Sequence, residues 1–316
     1  MQDDGRCGSP PHRAGPAVLT RALITGADGF TGRYLAPVLQ AAGYEVHGLV
    51  RDPIEERIAG IHALHVADLG DAAALERIVA EIRPAKVAHL AAIAFVAHGD
   101  VDAIYRINVV GTRHLLEALA RAPTPADGIL LASSANIYGN AVGGVIDEQV
   151  PPAPANDYGV SKLAMEYVAK LYAGRLPIVI ARPFNYTGLG QSSDFLIPKI
   201  VDHVRRRAPV IELGNLDVAR DFSDVRFVAQ AYRRLLEAPV AGQIFNICSG
   251  EAHSLRDVLE MARAISGHDF AIRVNPAFVR ANEVKSLRGD RRTLDAAIGD
   301  CPRPPLRETV RWMLEA

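Results

Sequence analysis

An α/β architecture is predicted for this chain: a parallel sheet wound on both faces by helices, with a second, smaller lobe interleaved along the sequence. Three observations point to it. Short apolar runs recur along the first half, each followed by a stretch with helical apolar spacing. The first of these runs ends directly on a glycine-rich turn, Thr25-Gly26-Ala27-Asp28-Gly29-Phe30-Thr31-Gly32. Beyond Arg182 the alternation breaks, Pro183, Pro198 and Pro209 punctuate the chain, and basic residues cluster over 199–207. Strands alternating with helices bury both faces of a sheet and favour parallel, right-handed crossovers.

In order, residues 22–25 read as a strand, followed by a helix with Tyr34, Leu35, Val38 and Leu39 on one face. Strands are expected at 45–50, 87–91, 129–132 and 178–181, with helices at 72–82, 101–121 and 156–172. Residues 243–248 read as a further strand of the same sheet, and 254–266 as an amphipathic helix capped by Ser254. The sheet lobe is therefore expected over 20–182 and 218–249, and the second lobe over 183–217 and 250–316. Residues 1–19, rich in Gly, Pro and charge, read as a disordered extension with too little apolar surface to offset its ordering entropy.

With 35 Lys and Arg against 36 Asp and Glu, the formal charge is -1, so no global field recruits nucleic acid or an anionic membrane. An anionic ligand must meet a local basic site. Cys7, Cys248 and Cys301 make an odd count without metal-ligand spacing, which argues against a disulfide framework and against structural zinc. No apolar run approaches the roughly 20 residues that span a bilayer, and the N-terminal stretch lacks the apolar core of a signal peptide. A cytoplasmic protein is expected.

The glycine turn follows a strand and opens a helix, the context a dinucleotide site requires. Gly26 would make the tight turn, Gly29 would let backbone approach a pyrophosphate and Gly32 would pack helix against strand. Phe30 and Thr31 lie between them at the helix N-terminus, where free N–H groups favour an anion. Tyr158 and Lys162 are four apart on a predicted helix and share a face. A phenol with a pKa near 10 donates poorly at neutral pH unless a cation stabilises its phenolate, and Lys162 supplies that cation. Ser134, in Ser133-Ser134-Ala135-Asn136, ends the preceding strand at the sheet's carboxyl edge and can donate to a carbonyl oxygen.

Together these residues resemble the extended short-chain dehydrogenase/reductase family, from Arg21 to near the end of the chain. The resemblance implies a Rossmann domain with a smaller substrate-binding domain. It assigns carbonyl polarisation to Ser134, proton exchange to Tyr158, and tuning of Tyr158 plus a ribose contact to Lys162. Asn108 matches the family pattern as well. Asp68 and Leu69 match its adenine-contacting pair, and Leu90, Ala91 and Ala92 its stretch beside the pyrophosphate. Where NAD enzymes carry an acid for the ribose 2′-OH, Arg51 follows Val50, and a guanidinium suits a 2′-phosphate. NADP is expected, with NAD the alternative, since Asp52 lies 20 residues past Gly32 and would serve as the acid. Family members also pair the helices at 101–121 and 156–172 across a two-fold axis, which implies a homodimer.

In the second lobe, residues 213–222 and 280–284 are similar to segments of GDP-mannose 4,6-dehydratases and of the reductases that act on their product. Carried over, Arg220 and Arg280 would clamp the diphosphate, Asn215 would meet guanine and Glu283 the ribose. Asn185 matches a residue contacting the sugar diphosphate, and Lys199 is a further candidate cation. Position 136 separates the reactions. Dehydratases place an acid two residues past the catalytic hydroxyl, whereas Asn136 has no titratable proton. The cysteine and histidine of the related epimerising synthases have no counterpart, Leu189-Gly190-Gln191 offering no histidine. Asn136 is thus expected to contact sugar without trading protons. The expected activity is reduction of GDP-4-keto-6-deoxy-D-mannose to GDP-D-rhamnose, with the talose epimer as product if hydride adds to the other face and a 4-keto-6-deoxyheptose nucleotide as the alternative substrate. A nucleotide-sugar 4-epimerase, a dehydratase-like enzyme and a nucleotide-binding protein without turnover are the rivals.

Overall fold

The structure, a computed structural model, describes residues 20–94, 100–140, 144–276 and 286–316. Seven strands form the central sheet: β1 (Arg21–Thr25), β2 (Glu45–Val50), β3 (Ala63–Val66), β4 (Lys86–His89), β5 (Gly128–Ala132), β6 (Ile178–Pro183) and β7 (Ile244–Ile247). They lie in the order β3-β2-β1-β4-β5-β6-β7, and every neighbouring pair is parallel. Helices cover both faces, which is why the inner strands read as continuous apolar runs rather than alternating ones. On one face, helices Phe30–Ala41 and Val225–Glu237 pack Leu35, Leu39, Phe227 and Tyr232 onto Ile24, Leu130 and Phe245. On the other, helices Ala72–Ile82, Thr112–Arg121 and Asp157–Lys170 bring Leu75, Leu115, Leu116 and Met165 onto Leu23, Ile129 and Leu131.

The strand order reverses between β1 and β4, which opens a crevice at the carboxyl edge where open α/β sheets take ligands. The segments carrying Gly26, Leu90 and Ser134 all leave the sheet on this edge.

The helix expected at 101–121 is not continuous. It consists of Val101–Tyr105, a π-helical turn Arg106–Gly111 and Thr112–Arg121. The cause is Asn108, whose side chain turns inward to bond another segment. Its Oδ1 accepts from the Ile93 N–H at 2.9 Å, and its Nδ2 donates to the Ile93 carbonyl at 3.1 Å and to Ser161 Oγ at 3.0 Å. The carbonyl of Asn108 is recovered by Thr112 Oγ1 at 2.8 Å. Such single-turn widenings concentrate where a side chain must be re-aimed.

Helices Leu196–Arg205, Leu255–Ser266 and Leu306–Glu315 build a separate apolar core around Ile200, Val204, Val258, Leu259 and Val310. Ser254 caps Leu255–Ser266 in a reciprocal box with Asp257. A small mixed sheet joins strands Ala252–Ser254, Ala219–Asp224, Ser286–Gly289 and Gly144–Ile146, and Asn185–Thr187 pairs with Ala219–Asp224. Among the described residues, no helix is long and apolar enough to cross a membrane.

Candidate functional site

At the β1 turn, Gly26 adopts φ +66°, and a Cβ there would lie 2.9 Å from the Ala91 Cα, so only glycine fits. A Cβ on Gly32 would meet the Gly26 carbonyl at 2.5 Å, which accounts for the close packing of helix on turn. Gly29 caps helix Phe30–Ala41 without a side-chain hydrogen bond, and no acidic residue occupies the first turn. Free N–H donors therefore face the crevice, a donor set that fits a diphosphate. Thr31 Oγ1 lies 2.8 Å from the Tyr186 hydroxyl, and the Phe30 ring stacks on Tyr186 with centroids 6.0 Å apart.

The other residues expected around a dinucleotide lie on the same edge. Leu90 N–H donates to the Thr25 carbonyl and Ala91 N–H to Thr25 Oγ1, both at 3.2 Å, and Ala92 follows them out of β4. Asp68 Oδ1 accepts from Gly70 N–H at 2.6 Å, while Leu69 is buried against Gly111. Arg51 and Asp52, just past β2, are exposed and paired with each other at 2.8 Å. This edge thus offers both a guanidinium and a carboxylate.

His89, fully buried at the end of β4, ties this turn to the π-helical turn. Its Nδ1 lies 2.7 Å from Thr25 Oγ1, and its Nε2 lies 2.9 Å from Thr112 Oγ1. Thr112 donates onward to the Asn108 carbonyl, so it accepts from Nε2–H, and Nδ1 must accept from Thr25. That is one neutral tautomer with every group satisfied. Burial, reinforced by the Lys162 charge, pushes His89 down to about 3.

The three expected catalytic side chains come together. Ser134 has extended backbone and is buried; its Oγ accepts from Asn136 N–H at 3.1 Å and from Asn136 Nδ2 at 3.0 Å. Helix Asp157–Lys170, capped by Asn156 through the Gly159 N–H at 2.8 Å, sets Tyr158 and Lys162 one turn apart. Lys162 Nζ donates to the Ala132 carbonyl at 2.7 Å and lies 6.0 Å from the Tyr158 ring centroid. Burial pushes the Tyr158 phenol well above its ordinary value, with Tyr186 adding to the rise and Ser134 opposing it. Burial also pushes Lys162 down to about 8, against the pull of Glu166. Tyr158 is consequently a neutral phenol at physiological pH.

The expected sugar-nucleotide residues are more dispersed. Asn136 is exposed in the crevice beside Ser134. Asn185, also exposed, pairs with Phe222 across the small sheet, and its Nδ2 approaches the Asp221 carbonyl at 3.4 Å. Arg220 lies two residues before Phe222 on the same strand, with Nη1 on the Ala219 carbonyl at 2.9 Å. Asp221 is occupied by Ser249, Gly250 and Gly289, and Asp224 by Arg226 and Thr309. Asn215 Oδ1 accepts from Asp217 N–H at 3.0 Å in a local turn, and Lys199 is half-buried on helix Leu196–Arg205. Arg280 and Glu283 lie outside the described residues. Sequence reasoning missed His89, Tyr186 and the buried pair Glu166 and Arg182. The spacing of Lys162 to Glu166, which repeats that of Tyr158 to Lys162, was the available signal.

A doubly wound parallel sheet with a Ser, Tyr and Lys cluster at its carboxyl edge is the construction of an extended short-chain dehydrogenase/reductase. Within that class the chain belongs to the GDP-mannose 4,6-dehydratase family, whose model it matches over residues 23–313. It is 32% identical to a GDP-6-deoxy-D-mannose reductase of Pseudomonas aeruginosa, over 93% of this chain and 96% of the relative. It is 31% identical to a GDP-6-deoxy-D-talose 4-dehydrogenase of Aggregatibacter actinomycetemcomitans, over 89% and 92%. Among solved structures, the RMD of Pseudomonas aeruginosa complexed with NADPH superposes with a TM-score of 0.80 at 32% identity, covering 94% of this chain and 97% of that one. A protein of Burkholderia cenocepacia J2315, provisionally called an epimerase, superposes with a TM-score of 0.89 at 54% identity, over 94% and 97%.

Proposed function

We propose that this chain reduces the C4 ketone of GDP-4-keto-6-deoxy-D-mannose to GDP-D-rhamnose, with NADPH as the electron donor and NADH as the alternative. The observation that carries the reading is Asn136. Its amide is bonded to Ser134 at the position where elimination requires a group that gives and takes protons, and an amide does neither. The reductase and the 4-dehydrogenase among the relatives support a redox step on a GDP-6-deoxy sugar, and the C4-epimeric sugars in their names leave the face of hydride addition to product identification.

In this reading Gly26, Gly29, Phe30, Thr31 and Gly32 hold the diphosphate of the cofactor. Arg51 takes the 2′-phosphate, Asp68 and Leu69 flank adenine, and Leu90, Ala91 and Ala92 line the pyrophosphate. When bound, the nicotinamide supplies the hydride. Ser134 donates to the C4 carbonyl oxygen, Tyr158 delivers the proton to that oxygen, and Lys162 stabilises the phenolate left behind. Asn108 fixes the segments beneath them. Asn136, Asn185, Lys199, Asn215, Arg220, Arg280 and Glu283 bind the sugar nucleotide, chiefly through the lobe of 183–217 and 250–316. A cytoplasmic homodimer belongs to the same reading, and the exposed Val110, Val160, Tyr167 and Leu171 on the helices expected to pair support it.

The test couples a GDP-mannose 4,6-dehydratase to the purified protein with GDP-mannose and NADPH, then identifies the product. The expected result is stoichiometric NADPH oxidation with the 4-keto sugar converted to GDP-D-rhamnose; an axial C4 hydroxyl would make the product the talose epimer. Given GDP-mannose and NADP alone, the protein should release no 4-keto product, and its appearance overturns the reading. A second reading, a nucleotide-sugar 4-epimerase, is favoured by the Burkholderia structure. It requires NAD retained through purification and interconversion without net redox change.

A further inference from the structure

Several segments of the candidate site converge on one buried carboxylate. Glu166 lies one turn beyond Lys162 on helix Asp157–Lys170 and is 1% exposed. Its Oε1 accepts from Ser133 Oγ at 2.5 Å and from Arg182 Nε at 2.9 Å, and its Oε2 accepts from Arg182 Nη2 at 2.7 Å. Ser133 is the neighbour of Ser134, and Arg182 lies near the end of β6, three residues before Asn185. The free arm of the guanidinium, Nη1, donates to the Tyr138 hydroxyl at 2.9 Å. Tyr138 closes the turn that carries Asn136 and donates in turn to Asn246 Oδ1 on β7 at 2.8 Å. Asn246 is held by the Ile146 carbonyl and by Glu148, so the network continues into the small sheet.

A buried ion pair is poor value as a source of stability, because desolvating two charges offsets most of their attraction and apolar residues of similar volume do as well. A bidentate pair fixes direction instead. Among the described residues, the charges facing Lys162 are also few. On its own helix stand Tyr158 and Glu166, on β4 the neutral His89, on β5 only the Ala132 carbonyl, and on β6 Arg182, a second cation held by the same carboxylate.

We propose that the Glu166 and Arg182 pair is the positioning unit of the active site: one carboxylate holds the Ser134 turn, the Tyr158 helix and the segment bearing Asn185 in register, and balances the Lys162 ammonium. Neither residue touches substrate or cofactor in this role. The proposal rests on the reductase reading for its kinetic consequence only.

The test uses Glu166→Gln, which keeps the shape, and Glu166→Gln with Arg182→Gln, which does not leave the buried guanidinium without its carboxylate and covers the case in which the single variant fails to fold. Protein labelled with 13C at lysine Cε reports the five lysines of the chain without any substrate, and Lys162→Met assigns the relevant signal. In wild type the Lys162 midpoint should lie near 8, and in Glu166→Gln it should fall by about half a unit or more, because Glu166 is the group that lifts it; in the double variant it should fall by less, because the Arg182 cation is removed as well. With sugar nucleotide and NADPH, kcat should drop about tenfold at neutral pH while KM changes less than about threefold. An unchanged midpoint and unchanged kcat in either folded variant overturn the proposal. A shifted midpoint in a protein that reduces no 4-keto sugar supports the charge balance and removes the reductase reading instead.

Discussion

Acid should destabilise this protein through His89. The side chain is 1% exposed, and its tautomer is fixed by Thr25 on one nitrogen and Thr112 on the other. Its pKa falls from 6.5 in the unfolded chain to about 3 in the fold. A depressed value means that the unfolded chain takes up the proton first, so the contribution is fully present above pH 6.5 and is lost as pH falls toward 3. At pH 5 the loss is about 2 kcal/mol, from the one and a half units between 6.5 and 5 at roughly 1.4 kcal/mol each. Against a total stability of about 5–15 kcal/mol, that is a measurable share. Urea unfolding of wild type and His89→Gln at pH 7.5, 6 and 5 measures it. Glutamine retains one acceptor and one donor, so the variant should lose about 1–3 kcal/mol at pH 7.5. The gap should then narrow by about 2 kcal/mol on going to pH 5, since the variant has no proton to take up there. Contributions from His65 and His203, whose values burial also lowers, are common to both proteins and cancel. A gap that stays constant with pH refutes the argument.

Tyr158→Phe should lose about a hundredfold or more in kcat while NADPH binding, followed by fluorescence, stays near wild type, because the ring still packs but the proton donor is gone. Gly26→Ala should cost about 1–3 kcal/mol in thermal unfolding and most of the cofactor affinity, given its φ of +66° and the Ala91 backbone 2.9 Å from the added Cβ. Arg51→Ala should raise the KM for NADPH about tenfold and leave that for NADH nearly unchanged; equal changes would remove the 2′-phosphate role.

The sheet was legible because its strands are buried on both faces, so 22–24, 129–132 and 178–181 stand out as unbroken apolar runs. Tyr158 and Lys162 were legible because helical spacing alone brings them together. Features that depend on contacts between distant segments were not. The helix expected at 101–121 has good helical spacing throughout, and only the inward turn of Asn108 to Ile93 and Ser161 widens it. Glu166 and Arg182 are 16 residues apart, and in one dimension each reads as an ordinary solvated charge. The very short strands Gly144–Ile146, Asn185–Thr187 and Ala252–Ser254 carry too few residues for a periodicity to register.

Asp224 closes strand Ala219–Asp224, caps helix Val225–Glu237 and accepts from Thr309 Oγ1 at 2.7 Å. Leu294, Ile298 and Cys301 complete the apolar core around β1 and β7. Residues near 300 therefore finish a core that begins near residue 22, so loop closure of the longest kind stands between synthesis and a native sheet. On a ribosome the first six strands are made well before the segments that seal them, and exposed edges such as β6 must wait unpaired. A fragment stopping short of helix Leu306–Glu315 leaves the Asp224 carboxylate without Thr309 and the second core without Val310. The two lobes should consequently melt in a single transition, and chaperone demand during expression should fall on the interval before the last forty or so residues emerge.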